Sequence, residues 1–179
     1  MSAQSWCVID AKRNTLLYGK EHHARREMAS LTKMMTCYAV ILLSEELGMG
    51  LHSTKIQVQR ASAETPGTSA FLRTGDYMVL WDLLHGLMLP SGNDAAHCLA
   101  TYFGTILGKK QHRYIGLDSL VKDPEPDAPP RPPEIENFIR EMNLRALQLG
   151  LASTFFDSPH GLSNPSNTST ASDLGKLTR

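Results

Sequence analysis

Ser30 and Lys33 stand three positions apart in the stretch ASLTKMMT, residues 29–36, at the start of a run rich in apolar residues. Residues at this spacing lie on the same side of a helix, so the two side chains would be neighbours. Ser30 could be a helix cap beside a surface lysine, or the two could be a nucleophile and its base. A serine hydroxyl is a poor nucleophile without an adjacent base. Burial and the positive end of a helix both disfavour a charged lysine, so a neutral Lys33 amine could accept the Ser30 proton.

A second motif, Ser91-Gly92-Asn93, lies between two apolar segments. Penicillin-binding proteins and class A β-lactamases carry S-x-x-K, a second serine motif of the S-x-N type, and K-T-G. Ser30 to Lys33 matches the first motif and Ser91 to Asn93 the second, in the same order. A single S-x-x-K arises often by chance, whereas the pair is much more specific.

Helical periodicity places both motifs at the ends of helices. The i, i+3, i+4, i+7 pattern predicts a helix of about seventeen residues from Ser30 to the glycines at 48–50. Its predicted buried stripe consists of Leu31, Met34, Met35, Tyr38 and Leu42. A second helix is predicted within residues 78–90, with Val79, Leu83, Leu84 and Leu87 on one face. Residues 94–107 predict a third helix that is almost wholly apolar, as central helices usually are.

Both ends of the chain predict further elements. SWCVID (5–10) and TLLYGK (15–20) flank a polar turn and predict a β-hairpin, and the alternating KIQVQR (55–60) predicts another short strand. An amphipathic helix is predicted from Pro133, with Phe138, Met142 and Leu149 on one side and Gly150 as its C-cap. A polar loop that contains His160 follows, and ASDLGKLTR predicts the start of a last helix.

Residues 108–133 interrupt this pattern. The run DPEPDAPPRPP holds six of the ten prolines of the chain. Proline lacks a backbone donor and resists regular structure, so residues 119–133 are expected to lie on the surface without helix or strand. The segment predicts a surface insertion, with a ligand for a proline-recognising module as the alternative.

Several longer stretches resemble one family of enzymes. VIDAKRNTLLYGKE, MASLTKMMTCYAV, FLRTGDYMVLWDLLHGLMLPSGNDAAHCLA, FIREMNLRALQLGL and FFDSPHGLSNPSNTSTASDLGKL resemble, in order, segments of the D-alanyl-D-alanine carboxypeptidases of the low-molecular-mass penicillin-binding type, the S11 serine peptidases. The resemblance covers nearly the whole chain except the Pro-rich stretch. It implies an α/β (α+β) chain with the partial penicillin-binding-protein/β-lactamase-like fold, in which a helical subdomain follows an N-terminal β-hairpin.

The resemblance also implies roles for individual residues. Ser30 would be the nucleophile and Lys33 its base, while Ser91 would relay a proton to the leaving amine. Asn93 would orient substrate and Lys33, with Gly92 and His160 as further substrate-binding residues. The substrate would be a peptide ending in D-Ala-D-Ala, or a β-lactam, and no cofactor is implied.

No Lys-Thr-Gly occurs among the 179 residues. In the family this motif lies on a strand of the main sheet and helps to bind the substrate carboxylate. The chain is therefore expected to be a single, C-terminally truncated transpeptidase-like domain over residues 1–179. Its hairpin would have an open edge that a protein partner or further strands would cover.

Three hypotheses remain open at this point. The chain could be part of a working carboxypeptidase whose C-terminal part is not shown. It could be a catalytically degenerate relative that serves as a packing subunit of a larger assembly. It could also have an unrelated fold, in which the serine and lysine are ordinary surface residues.

Composition and residue spacing argue against several classes of function. Eighteen basic and eighteen acidic side chains cancel, which argues against binding to nucleic acid or an anionic membrane surface. The spacing of the three cysteines and seven histidines fits no metal site. No apolar run reaches the ~20 residues of a membrane-spanning helix, and the N-terminus lacks the pattern of a secretory signal. The protein would be intracellular if Met1 is the true start, and exported if a signal was removed.

Overall fold

The computed structural model describes residues 2–13, 15–109, 118–122, 130–162 and 165–178. Within these ranges the helices are α1 (Thr32–Glu46), α2 (Arg60–Ala63), α3 (Leu80–Met88), α4 (Asn93–Gly108), α5 (Pro133–Gln148) and α6 (Ala171–Leu177). The strands are β1 (Trp6–Asp10), β2 (Thr15–Lys20), β3 (Arg26–Glu27), β4 (Lys55–Gln57), β5 (Tyr77–Val79) and β6 (Thr168–Ser169). Ala29–Leu31 and Asp118–Leu120 form 3₁₀ turns.

Helix α4 is the centre of the helical core, as its apolar sequence predicts. It packs against α1, α2, α3 and α5, and its buried side chains include Leu99 and Phe103, both 0% exposed. The face that meets α5 contains Gly104, whose Cα lies against the backbone of Glu134. A side chain at position 104 would occupy the space that the Glu134 carbonyl fills, so the absence of a Cβ sets how closely the two helices approach.

Gly104→Ala should therefore destabilise the protein, even though alanine favours helices. The added Cβ would clash with the Glu134 carbonyl, and overpacking of this kind costs about 2 kcal/mol. Gly108→Ala is the matched control, because its Cβ would meet only the movable Asn137 side chain, 2.8 Å from Nδ2. Chemical denaturation should give a lower free energy of unfolding for Gly104→Ala alone. Equal values for the two variants would contradict the close helix contact.

The start of α1 differs from the prediction. Ser30 lies in the 3₁₀ turn that precedes the helix, rather than at its first position. The turn is tightened by a hydrogen bond from the Leu31 N–H to the Met28 carbonyl at 3.1 Å, and Ala29 adopts a positive φ of 46°. Helical periodicity does not predict a positive φ at this position, because alanine rarely adopts that conformation.

The buried face of α1 is also rotated from the predicted stripe. Leu31 is 50% exposed, and among the predicted stripe residues only Met35 is fully buried. The residues that α1 buries are Thr32, Lys33, Met35, Thr36, Ala39, Val40, Leu43 and Ser44. The stripe prediction was wrong because Thr32, Lys33 and Thr36 hydrogen-bond to distant segments, and a polar side chain with partners can be buried.

The strands form three small antiparallel sheets. β1 pairs with β2, with a register shift between Val8 and Ile9, which confirms the predicted hairpin. β4 pairs with β5, and α3 starts after β5, so Val79 lies in a strand rather than on the predicted helix face. β3 pairs with β6 and brings the segment before Ser30 beside residues 168–169.

Apolar side chains of the hairpin are exposed: Val8, Leu16, Leu17 and Tyr18 are 42–70% accessible. A sheet edge with such residues is open to pairing with another strand. The protein partner expected at this edge stays a prediction.

The structure describes the predicted insertion only at its two ends and at residues 118–122. α4 ends at Gly108, and α5 begins at Pro133. Leu120, in the 3₁₀ turn, is 6% exposed, and its carbonyl accepts a hydrogen bond from Asn143 Nδ2 at 2.9 Å. The expectation of an exposed, irregular chain is therefore wrong at this residue, because an apolar side chain next to the core becomes buried. Residues 110–117 and 123–129 lie outside the described residues, so the insertion as a whole stays a prediction.

The periodic C-terminal segments form the predicted helices. Phe138 and Met142 of α5 are 0% exposed, and Gly150 follows the helix with a φ of +67°. α6 begins at Ala171, where the Thr170 side chain caps it by accepting from the Asp173 N–H. Of the helices in the described ranges, none has the length and apolar character required to cross a bilayer.

Candidate active site

The Ser30 hydroxyl and the Lys33 amine form a hydrogen-bonded pair. Lys33 Nζ lies 3.1 Å from Ser30 Oγ and donates to the His160 carbonyl at 2.9 Å. Ser30 is exposed, whereas Lys33 is only 2% exposed. The turn before α1 therefore presents a hydroxyl to the surface with a buried amine behind it.

The environment of Lys33 favours its neutral form. Burial lowers the pKa of Lys33 and outweighs the opposing effect of the negative charge of Asp94, so that the pKa falls from 10.5 to about 8. A pKa near 8 leaves roughly a tenth of the amine neutral at pH 7, against well below a thousandth for an exposed lysine. Lys33 is therefore suited to accept a proton from Ser30.

Three side chains near the start of α1 hydrogen-bond to the C-terminal part of the chain. Thr36 Oγ1 donates to the Pro159 carbonyl at 2.6 Å, one residue before the carbonyl that Lys33 contacts. Thr32 Oγ1 accepts from Asn167 Nδ2 at 2.6 Å. These contacts hold the first two turns of α1 against Pro159, His160 and Asn167. Motif spacing and periodicity do not indicate Thr32, Thr36 or Asn167.

His160 contacts Lys33 through its backbone carbonyl rather than its ring. Its ring Nδ1 accepts a hydrogen bond from the Leu162 N–H at 3.0 Å, so the proton of the neutral ring lies on Nε2. Burial, together with the nearby Lys33 and His97, lowers the pKa of His160 to about 4. His160 is thus a neutral imidazole beside the Ser30–Lys33 pair at neutral pH.

The Ser91-Gly92-Asn93 turn is held by the loop at residues 66–70. Ser91 has a φ of +59°, and its carbonyl accepts from the Thr68 hydroxyl. A Cβ at Gly92 would lie 2.7 Å from the Gly86 carbonyl oxygen and 2.9 Å from the Ala70 nitrogen, so only glycine fits there. The motif is therefore a constrained turn at the start of α4.

Asn93 is the first residue of α4 and is 4% exposed. Its Nδ2 donates to the Pro66 carbonyl at 2.8 Å, while its Oδ1 has only a long contact of 3.5 Å with the Thr68 hydroxyl. The amide is thus fixed through its nitrogen, which leaves its oxygen weakly engaged. This oxygen is the polar atom that Asn93 can offer to a further donor.

Asp94 anchors the loop that carries Phe71. Its carboxylate is fully buried and accepts from the N–H groups of Ala70 and Leu72 on either side of Phe71, and from the Ser69 hydroxyl. Burial alone would raise the pKa of Asp94, but these hydrogen bonds hold it below its ordinary value. Because the charge of Asp94 acts on Lys33, the start of α4 lies within electrostatic reach of the amine.

The described residues hold no group of three His, Cys, Asp or Glu side chains placed to bind a metal ion.

Of the residues predicted for the site, the structure brings together Ser30, Lys33 and the backbone of His160. The Ser91–Asn93 turn forms a second unit.

The sequence matches the family model of the D-alanyl-D-alanine carboxypeptidases, peptidase family S11, over residues 1–111 and 132–179. The unmatched residues, 112–131, lie within the predicted insertion at residues 108–133. A D-alanyl-D-alanine carboxypeptidase of Streptomyces sp. strain K15 is 34% identical over 167 residues, which cover 91% of this chain and 48% of the relative. DacF of Bacillus subtilis, also a D-alanyl-D-alanine carboxypeptidase, is 28% identical over 99% of this chain and 38% of its own length. The chain thus spans less than half of the length of these relatives.

Solved structures of the same kind are similar in fold. The crystal structure of the D-alanyl-D-alanine carboxypeptidase DacD from Francisella tularensis superposes with a TM-score of 0.80 at 26% identity, covering 99% of this chain and 36% of that chain. A mutant of the Streptomyces K15 DD-transpeptidase gives a TM-score of 0.79 at 32% identity, and the match covers 99% of this chain and 60% of that chain. These likenesses confirm the fold predicted from the sequence, a helical subdomain with an N-terminal β-hairpin.

Proposed function

The chain belongs to the S11 family of D-alanyl-D-alanine carboxypeptidases, and on that premise we propose that Ser30 forms an acyl-enzyme with peptides ending in D-Ala-D-Ala. The observation that carries the proposal is the 3.1 Å contact between Ser30 Oγ and the amine of Lys33, a buried lysine with a pKa of about 8. An exposed hydroxyl next to a buried, partly neutral amine is the arrangement that a serine nucleophile needs.

The His160 carbonyl gives the amine its orientation. A neutral amine has two hydrogens and one lone pair, and a carbonyl can only accept. When Lys33 donates one hydrogen to the His160 carbonyl, its lone pair can face the Ser30 hydroxyl and take the hydroxyl proton. The hydrogen bond thus favours the state in which Lys33 acts as a base.

The reaction then proceeds in two steps. Ser30 Oγ bonds to the carbonyl carbon of the penultimate D-alanine as its proton passes to Lys33. The C–N bond breaks, and the terminal D-alanine leaves with a proton on its amine. Water then adds to the acyl carbon, and the ester bond to Ser30 breaks to release the shortened peptide. A β-lactam would acylate Ser30 in the same way, with its ring amide in place of the peptide bond. No step needs a metal or an organic cofactor.

The second motif supplies further groups for the reaction. Ser91 relays the proton from Lys33 to the leaving amine, and Asn93 offers its weakly engaged Oδ1 to an N–H of the substrate. Gly92 lets the backbone turn close to the site, and His160 lines it as a neutral ring. The charge of Asp94 at the start of α4 supports the placement of this motif near Lys33.

We assign the nucleophile and the proton transfer to this chain, and not the whole catalytic apparatus. The 179 residues contain no Lys-Thr-Gly, the motif that the family uses to bind the substrate carboxylate. The formed Ser30–Lys33 contact favours this function over the alternative of a catalytically degenerate packing subunit.

Covalent labelling tests the proposal. A polypeptide of residues 1–179 should acquire a penicilloyl adduct on Ser30, detected by intact-mass and peptide mass spectrometry. The adduct should form about 10⁴-fold more slowly than in a relative that has Lys-Thr-Gly. The group that binds the β-lactam carboxylate and one donor to the developing oxyanion are both missing, and each loss costs about 3 kcal/mol. Ser30→Ala should abolish the adduct, and Ser53→Ala, a change at an exposed turn serine, should not. Failure to label Ser30 after prolonged incubation at pH 9 would refute the assignment.

A further inference from the structure

We propose that Asn167 is a positioning residue for the nucleophile, and that its buried carboxamide acts through Thr32 to fix the turn that carries Ser30. The proposal deepens the function proposed above, since it names a residue on which the geometry of the Ser30–Lys33 pair depends.

Asn167 joins three separate segments of the chain. It is 1% exposed, and its Nδ2 donates to Thr32 Oγ1 at 2.6 Å. Its Oδ1 accepts from the Asp157 N–H at 3.0 Å, and its backbone carbonyl accepts from the Met28 N–H at 3.4 Å. One residue therefore contacts both sides of the Ser30 turn and the segment that leads to His160.

Thr32 is placed to transmit this contact to the catalytic pair. It is the first residue of α1, fully buried, between Ser30 and Lys33 in the sequence. Gly161 also lies close to it, because an added Cβ there would be 2.6 Å from Thr32 Oγ1. The Thr32 hydroxyl is thus close to both Gly161 and the Asn167 amide, and a shift of Asn167 is expected to move the turn.

The chemistry of the contact suits asparagine. Its carboxamide donates to a hydroxyl and accepts from a backbone N–H at the same time, which neither aspartate nor leucine can do in this orientation. Leucine has nearly the same shape, so Asn167→Leu removes both hydrogen bonds and leaves little cavity. Thr32→Val replaces the hydroxyl with a methyl group and so removes the hydrogen bond to Asn167. Thr32→Ser retains the hydroxyl and the hydrogen bond.

Loss of this contact should change the catalytic pair more than the fold. A displacement of about 1 Å between reacting groups can cost on the order of 10²-fold in rate. We therefore expect Asn167→Leu and Thr32→Val each to slow acylation of Ser30 by a β-lactam by about 10²-fold. A loosened turn would also admit water to Lys33, which would raise its pKa above the value in the unchanged protein.

The test uses the full chain and two independent readouts. The first is the pKa of Lys33, followed by NMR titration of its side-chain nitrogen. The second is the rate at which Ser30 acquires a penicilloyl adduct. Thr32→Val and Asn167→Leu should raise the pKa of Lys33 and slow the adduct, Thr32→Ser should restore both, and the double variant should be no worse than either single one.

Ser44→Ala is the matched control. Ser44 is also a buried hydroxyl residue of α1, at 1% exposure, and its Oγ donates to the Val40 carbonyl at 2.7 Å. This bond lies within α1 and involves neither the Ser30 turn nor Asn167, so its loss should leave the pKa of Lys33 and the acylation rate unchanged.

Two results would overturn the proposal. One is a folded Thr32→Val protein in which the pKa of Lys33 is unchanged. This variant also decides the test if Asn167→Leu does not fold. The other is an equal change in Ser44→Ala. If the unchanged protein never acylates, the proposed function fails, and the NMR titration alone decides whether Asn167 positions the pair.

Discussion

Lys33→Met is expected to slow the acylation of Ser30 by about 10⁴-fold, the upper end of what a positioned general base contributes. The variant keeps the length and apolar stem of the side chain but loses the amine that we propose accepts the Ser30 proton. It should nevertheless melt no lower than the unchanged protein at pH 7. With a pKa of about 8, Lys33 is mostly charged at that pH although it is buried, and methionine removes this cost.

The pH dependence provides a second measurement of the same residue. Acylation of the unchanged protein should rise about tenfold per pH unit below pH 8, where the neutral amine is the minor form, and level off above pH 9. Lys33→Met should lack this rise. Lys176→Met is the control. Like Lys33, Lys176 donates to a backbone carbonyl, and it also contacts the Asp173 carboxylate, but it lies on α6. An unchanged rate in Lys33→Met would show that another group is the base.

Gly161→Ala should cost about 3 kcal/mol of folding stability and slow acylation as well. Gly161 has a φ of +76°, and an added Cβ would clash with the Ala29 carbonyl, next to Ser30. Neither the backbone conformation nor the space tolerates a side chain at this position. The expected measurement is a lower free energy of unfolding in urea together with a slower adduct on Ser30.

Gly150→Ala separates these two causes. Gly150 has a similar φ of +67°, but a Cβ there would meet nothing within 4 Å. It should therefore lose only about 1 kcal/mol, the cost of a left-handed conformation for alanine, and retain the acylation rate. Similar losses in the two variants would mean that the contact of Gly161 with the Ser30 turn is not tight.

Local sequence patterns predicted the elements well where the interactions are local. The helices that became α4 and α5, the β1–β2 hairpin and the C-cap at Gly150 follow from periodicity and turn residues. The Ser30–Lys33 contact was also predictable, because both residues lie within one turn of chain. Spacing alone indicated that a hydroxyl and an amine would meet.

The buried face of α1 could not be predicted in this way. Thr36 and Lys33 are buried because they donate to carbonyls 123 and 127 residues away. Thr32 is buried because it accepts from a residue 135 positions away. Hydrophobic periodicity treats such polar positions as exposed, so it selected the wrong side of the helix. The anchoring role of Asp94 was missed for the same reason, since its partners lie 22–25 residues earlier.

The contacts of α1 with Pro159, His160 and Asn167 also bear on when the Ser30–Lys33 pair can form during synthesis. Domains fold during or after synthesis, and contacts between distant residues form late because a long loop must close first. A nascent chain that has not yet emerged beyond residue 160 already contains Ser30 and Lys33, but it lacks the carbonyls that orient the amine. We expect Lys33 of such a chain to be solvated and charged, so that Ser30 lacks a neutral base. On the proposed function, reactivity would therefore arise only once this packing has formed, and it would be lost with the packing.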